Sequence, residues 1–227
     1  MQSKYKIILT DLDAILERDP ATNSRLEAIL CSSGFHSICI YRLAHSLWRK
    51  NFRLSARVLS QIGRFLTGVE IHPGARIGKG FVIDHGMGVV IGETAEIGQN
   101  VTIYHNVTLG GTTVFTSKGK IRSKRHPSVG NNVIIGSGAQ VLGPITIGDN
   151  CKVGSNAIVI KDVAPDTTVV GFPAHPTSKS KKKNFCSYGV DADCTDTLND
   201  TINSLNQEIT ALKQEINELR NHILNKN

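Results

Sequence analysis

The sequence predicts a mainly β fold, a parallel β-solenoid, preceded by an α-helical region and followed by a coiled-coil helix. Aliphatic residues recur with a strict six-residue step in three ladders. The first is Ile71, Ile77, Ile83; the second Ile91, Ile97, Ile103, Leu109; the third Val129, Ile135, Val141, Ile147, Val153, Val159. A helix repeats apolar residues every three or four positions and a half-buried strand every two, whereas a six-residue step fits a coil with one hexapeptide per flat side. Glycine follows many rungs, at Gly78, Gly92, Gly98, Gly110, Gly130, Gly136, Gly148 and Gly154. A small residue there suits a corner where a Cβ would crowd or φ must be positive. Only 5% of residues are aromatic, as expected of a core filled by stacked Ile and Val. A β-sandwich of short strands is the alternative.

Residues 1–68 form the helical region. Asp19-Pro20 reads as a helix start, with Pro at the first helical position. Ile38, Tyr41, His45 and Trp48 keep helical spacing, and Leu54, Val58, Ile62 and Phe65 continue it. The solenoid runs over 69–175. Its step fails twice, with a gap of eight from Ile83 to Ile91 and of twenty from Leu109 to Val129. The first break lies beside Asp84-His85. The second holds a loop rich in Gly, Thr, Ser and cations, and solenoid insertions tend to lie on the binding face. A polar linker spans 176–197. Heptads then run over 198–227, with Ile202, Ile209, Ile216 and Ile223 at a and Leu198, Leu205, Leu212 and Leu219 at d. Glu208 with Lys213, and Glu215 with Arg220, pair across a parallel seam. A helix folding back on its own chain is the alternative.

The chain of 227 residues has room for a sizeable core. Its net charge of +7 is concentrated at Lys118, Lys120, Arg122, Lys124, Arg125 and at Lys179, Lys181, Lys182, Lys183. Neither cluster is interleaved with aromatics, which argues against a nucleic-acid groove. Each reads as a solvated loop or as a contact for a phosphate-bearing ligand. Five cysteines, without a C-x-x-C pair, predict reduced thiols in a cytoplasmic protein, with neither a disulfide frame nor a zinc site. The start MQSKYKIILTDLD lacks the apolar run of a signal peptide, and no segment is long enough to cross a membrane.

Of eight histidines, His72, His85 and His126 lie at or near irregular points of the solenoid. Glu70 and His85 are fifteen residues apart, on neighbouring coils near one corner of a three-sided prism. A carboxylate there can hold an imidazole in one tautomer and stabilise its protonated form, as a general base requires. An exposed polar corner is the other reading of the pair.

The segments VEIHPGARIGKGFVIDHGMGVVIGE, NVTLGGT, KRHP and VVGFPAHP together resemble serine O-acetyltransferases, and RDPA and GFHSICIYRLAHSLW resemble the end of that family's helical domain. The resemblance implies a left-handed parallel β-helix assembled as a homotrimer, with acetyl-CoA in a groove between coils. It implies acetyl transfer from acetyl-CoA to L-serine, with no permanently bound cofactor and no metal. His85 would be the general base and Glu70 its orienting carboxylate. Asp19 and Asp84 would meet the serine amino group, and Arg125 and His126 its carboxylate. Gly111 would offer a backbone N–H to the thioester oxygen. Ser137, Ser155, Gly171 and Pro173 would contact CoA. The helical region is shorter than in members that join two trimers, the loop before Arg125 is longer, and Asn227 stands where members that dock into cysteine synthase end in Ile. The hexamer and the cysteine synthase partnership are thus left open.

Ile at a with Leu at d leans towards two strands, but a threefold body favours three, so the reading is a trimer with a three-stranded C-terminal bundle. Other readings are an acetyltransferase for a sugar or antibiotic hydroxyl, and a catalytically silent scaffold. A γ-type carbonic anhydrase needs a histidine pair five apart, which the sequence lacks.

Overall fold

Each six-residue step becomes one short strand of a three-faced coil in the computed structural model, which describes residues 4–112, 124–171 and 204–216. The first face stacks β1 (Glu70–Ile71), β4 (Val90–Ile91), β7 (Thr108–Gly110), β10 (Gln140–Leu142) and β13 (Ile158–Val159). The second stacks β2 (Arg76–Ile77), β5 (Glu96–Ile97), β8 (Ser128–Val129) and β11 (Thr146–Ile147). The third stacks β3 (Val82–Ile83), β6 (Thr102–Ile103), β9 (Ile134–Ile135), β12 (Lys152–Val153) and β14 (Thr168–Val169). Every pairing is parallel. Val90 pairs Thr108 and Gln140 pairs Ile158, eighteen residues on in each case. Glu70 pairs Val90, twenty on, and Thr108 pairs Gln140, thirty-two on. The two breaks in the ladder are thus absorbed as a two-residue bulge at the His85 corner and a fourteen-residue excursion after β7.

All thirteen rungs are at most 9% exposed. A second inward position lies two residues before the rung, filled by Val69, Ala75, Phe81, Val89, Ala95, Val101, Val107, Val133, Ala139, Cys151 and Ala157. Two inward residues per hexapeptide fill the prism, with Phe81 the one aromatic among those named. The glycines after the rungs act by close approach alone. Gly78, for one, has no left-handed φ, and a Cβ on it would overlap the Gly98 carbonyl one coil below. The left-handed corners instead fall to asparagines, including Asn100, Asn132 and Asn150 with Asp166 below them, and to other glycines such as Gly80, Gly88 and Gly138. Asparagine tolerates this conformation better than other side chains with a Cβ. Their amides form a ladder, Asn100 to Asn132 at 3.3 Å, Asn132 to Asn150 at 3.1 Å and Asn150 to Asp166 at 2.8 Å.

Four helices precede the coil: α1 (Lys4–Arg18), α2 (Arg25–Cys31), α3 (Ser33–Arg49) and α4 (Arg53–Thr67). Asp19-Pro20 follows the end of α1 and does not start a helix, a correction to the expectation above. The Asp19 carboxylate accepts from the Ala21 N–H at 2.9 Å and the Thr22 hydroxyl at 2.6 Å, an Asx-type turn that competes with helix initiation. The next helix starts beyond Ser24, whose hydroxyl accepts from the Glu27 N–H. Helix α3 buries Ile38 and Tyr41, and the Tyr41 hydroxyl donates to the Ala75 carbonyl at 2.7 Å. Gly34 lets α3 lie against β3, where a Cβ would overlap the Ile83 carbonyl. Asp11 is fully buried and pairs with Arg42 at 3.1 Å; Arg42 also donates to the Ile77 and Gly78 carbonyls. On α4 the buried side is made of Ala56, Ser60, Gly63 and Thr67, while Leu54, Val58, Ile62 and Phe65 are exposed. Their helical spacing is observed, but small residues are what allow the helix close to β1.

The segment 204–216 is a helix in a unit of its own. Leu205, Ile209, Leu212 and Ile216 are about half exposed along it. The linker 176–197, the outer heptads, Pro173 and most of the cationic loop lie outside the described residues.

Candidate active site

The two-residue bulge forces an unusual turn after β3. The Gly86 N–H donates to the Asp84 carbonyl two residues back, at 2.8 Å, and His85 between them takes φ 62°. That is strained backbone for a residue with a Cβ, of the kind that clusters at functional sites. The Ser33 hydroxyl, at the start of α3, donates to the His85 carbonyl at 3.1 Å and fixes the turn. The imidazole itself projects outward, its side chain 72% exposed, with the Asp84 carboxylate 4.0 Å from Nε2. It borders a cleft of about 560 Å³ between the helices and the coil, lined also by Asp19, Thr22, Glu27, Ser33 and Asp84. The hydrogen bond from Thr22 holds the Asp19 carboxyl below its ordinary range, and the Ala21 N–H and nearby His85 add to this against a desolvation that opposes it. Asp19, Asp84 and His85 are therefore brought together, with an ionised carboxylate ready for a cationic group.

Glu70 is placed differently from the dyad inferred from spacing. It projects from the first face, and its carboxylate pairs with Arg64 of α4 at 3.3 Å. Among the described residues no hydrogen bond joins it to His85. The fifteen-residue spacing assumes an unbroken coil, and the bulge alters where the imidazole points.

Arg125 and His126 sit at another corner, between the first and second faces. Thr94 organises them. Its hydroxyl oxygen accepts from the backbone N–H groups of Arg125 and His126, at 3.1 Å each, and lies 2.8 Å from His126 Nδ1. The Thr94 N–H also donates to that nitrogen at 3.2 Å, which puts the His126 proton on Nε2. His72 Nδ1 likewise accepts from the Gly74 N–H at 3.0 Å. Gly111 lies against this pair, since a Cβ on it would come 3.0 Å from His126 Nε2. Thr94 was not singled out from the sequence, although it directly follows the long segment carrying the resemblance, which ends at Glu93. Arg125 supplies the positive charge here; His126 is a neutral donor.

Burial, helped by Arg125, pushes His126 down to about 4, and burial with Arg57 and Arg125 does the same to His72. Burial also lowers His45. An unfolded imidazole titrates near 6.5. Between about pH 6.5 and about 4 the unfolded chain binds protons that the folded chain refuses, so stability falls as pH falls through that window. Above it these groups contribute no pH dependence. Thermal unfolding midpoints at pH 7.5, 6 and 5 should fall in that order, and a flat response would contradict the buried, neutral assignment.

Strand register links the residues proposed for CoA. Ile83, Ile103, Ile135, Val153 and Val169 pair in succession on the third face. The residues two places later are therefore His85, His105, Ser137, Ser155 and Gly171, a column down one corner. Ser137 and Ser155 hydroxyls are 3.2 Å apart. At a strand spacing of about 4.8 Å, His85 to Ser155 spans about 14 Å. A long, flexible thioester can lie along such a column with its reactive end at His85.

Hexapeptide coils with a histidine at a broken corner and a polar column below it define an acyltransferase of the hexapeptide class. The profile "Bacterial transferase hexapeptide (six repeats)" matches residues 126–161, and "Serine acetyltransferase, N-terminal" matches 2–39. The serine acetyltransferase of Helicobacter pylori (strain ATCC 700392 / 26695) is 52% identical over 170 residues, 75% of this chain and 96% of that one. The Neisseria gonorrhoeae serine acetyltransferase structure in complex with serine superposes with a TM-score of 0.70 at 43% identity, covering 76% of this chain and 68% of that one. The Brucella abortus strain S19 enzyme in complex with coenzyme A gives 0.68 at 38% identity, covering 75% and 66%. The chain belongs to the serine acetyltransferase family. Its coil is the left-handed parallel β-helix, an exception to the right-handed crossover rule.

Proposed function

We infer that the protein transfers the acetyl group of acetyl-CoA to the hydroxyl of L-serine, giving O-acetylserine and CoA for cysteine biosynthesis. His85 takes the hydroxyl proton as the serine oxygen attacks the thioester carbonyl carbon. The Gly111 N–H donates to the oxygen as charge develops on it. The C–S bond then breaks, and His85 returns the proton to the departing thiolate. Asp19 and Asp84 hold the serine ammonium group. Arg125 pairs with its carboxylate, and His126 Nε2–H donates to it. Binding both ends with opposite charges aligns the hydroxyl on the thioester. CoA runs along Ser137, Ser155 and Gly171, with Pro173 beyond. The enzyme is cytoplasmic and carries no resident cofactor or metal; among the described residues no helix is long and apolar enough to cross a membrane. The catalytic β-helix is taken as 69–175, between the helical region and the linker. CoA release with L-serine, against sugar acceptors, tests the reaction.

One observation supports assembly of the site between chains. The ammonium-binding side, at Asp19, Asp84 and His85, and the carboxylate-binding side, at Arg125 and His126, lie on corners at opposite edges of the first face. A homotrimer in which one chain's first corner meets its neighbour's second would complete three sites. His85→Ala and Arg125→Ala enzymes, each impaired alone at low serine concentration, should then regain activity in mixed trimers, in which some sites carry neither change. Failure of co-assembled variants to complement would point to a site within one chain. Arg125→Ala alone should weaken serine affinity by about 1.5–3 kcal/mol, as for a lost charged hydrogen bond, with little effect on acetyl-CoA.

The exposed stripe Leu205, Ile209, Leu212 and Ile216 supports a parallel three-stranded bundle, with Glu208 and Lys213 bridging chains. Removing 198–227 should lower stability and leave a trimeric, active core. Light scattering reads this directly, and a monomeric yet active truncation would exclude the trimer. Cysteine synthase is not needed for any of these steps.

A further inference from the structure

We propose that His105 is a positioning residue that holds the His85 imidazole in the orientation needed to accept the serine proton. The inference rests on His85 being the base. His105 occupies the place equivalent to His85 one coil below, since Ile83 pairs Ile103. The two rings meet edge to face, with centroids 5.7 Å apart and planes at 80°. This is a preferred geometry for aromatic pairs. Among the described residues no hydrogen bond reaches either nitrogen of His85. Asp84, at 4.0 Å, is too far for one, and Glu70 is taken up by Arg64. The strained backbone fixes where the His85 side chain leaves the coil, but not how its ring turns. The ring contact with His105 constrains that turn.

A second observation points the same way. His105 Nδ1 is buried and has no hydrogen-bond partner among the described residues. A half-buried position of purely structural purpose would be served by a side chain without an orphaned buried nitrogen. Here the residue that carries the orphan lies between the proposed base and Ser137 in the column. An imidazole kept there at a cost in hydrogen bonding is a feature of the site. The groups facing His85 are Asp84 from its own turn, Asp19 after α1, Glu27 and Cys31 from α2, and His105.

The test compares His105→Ala and His105→Phe in the full chain, with L-serine and acetyl-CoA, and with His85→Ala as control. His105→Ala should lower kcat about tenfold, a modest share of what misplacing a catalytic group can cost. KM for acetyl-CoA should stay within about twofold of the parent, since a positioning role leaves substrate binding intact. His105→Phe keeps the edge-to-face contact and should recover most of the turnover. Wild-type turnover in His105→Ala would overturn the proposal. So would equal losses in both variants, since the retained ring contact would then be worth nothing to turnover. Ring NMR of ¹⁵N-histidine-labelled free enzyme separates the proposal from the base assignment. Unchanged His85 signals in His105→Ala overturn the positioning role, whereas an active His85→Ala enzyme overturns the base.

Discussion

Replacing His85 by Ala is expected to lower kcat by about 10²–10⁴, the usual worth of a positioned general base. Acetyl-CoA should still bind, because the column below His85 is built by strand register and not by the imidazole. The serine hydroxyl is a poor nucleophile at neutral pH, so little turnover survives without a proton acceptor. Cys31, exposed, and Ser33 line the same cleft, and either would be the obvious alternative nucleophile. Ser33 is spoken for: its hydroxyl donates to the His85 carbonyl at 3.1 Å. An acetylated enzyme trapped by rapid quenching, or turnover unchanged in the variant, would refute direct attack on the thioester.

The largest effect on stability should come from Asp11→Ala. Asp11 has no solvent exposure, and burial raises its carboxyl above the ordinary value while Arg42 and the Phe81 N–H pull it back. Its oxygens accept from Arg42 and, at 3.1 Å, from the Phe81 N–H. The pair therefore joins α1, α3 and the first turn of the coil. Removing one member of a buried ion pair leaves the other uncompensated and typically costs about 3–5 kcal/mol. Arg42 would keep the Ile77 and Gly78 carbonyls but lose its counter-charge, and the Phe81 N–H would lose its acceptor. Asp11→Asn, which retains an acceptor, should lose less. Chemical denaturation of the full chain measures both. A loss in Asp11→Ala below about 1 kcal/mol, in the range of an exposed pair, would mean that other contacts hold the helices to the coil.

The coil was legible because its period is unlike that of any other regular structure, and one buried aliphatic per step sufficed to reveal it. The second inward ladder was harder to see, since Ala75, Ala95 and Ala139 carry little hydrophobic signal. Likewise the corner asparagines look like ordinary loop polarity until their φ values are known. Residues placed by a break in the period, His85 above all, could be located but not oriented. Spacing carries the path of the backbone, whereas the direction of a ring depends on contacts such as that with His105. The same limit explains Glu70, whose partner Arg64 comes from a helix that lies outside the periodic segment. Asp19 shows the converse case: its proposed role was readable from its neighbours in a motif, while its local geometry was misread because an Asx turn and a helix start share the same residue types.

Chain length in this coil is quantised. A change of eighteen residues adds or removes one full turn and leaves every face and every inward ladder in register, as between Gln140 and Ile158. Any other change must be carried by a corner. Only two corners between β1 and β13 carry such a remainder, two residues at His85 and fourteen after β7. Insertions and deletions that keep the protein folded should therefore fall either in whole turns or at those two places. The cost of lengthening the second rises only logarithmically with its size. Natural variation in loop length is thus channelled to the borders of the reaction centre. Selectivity can drift there while the scaffold stays fixed.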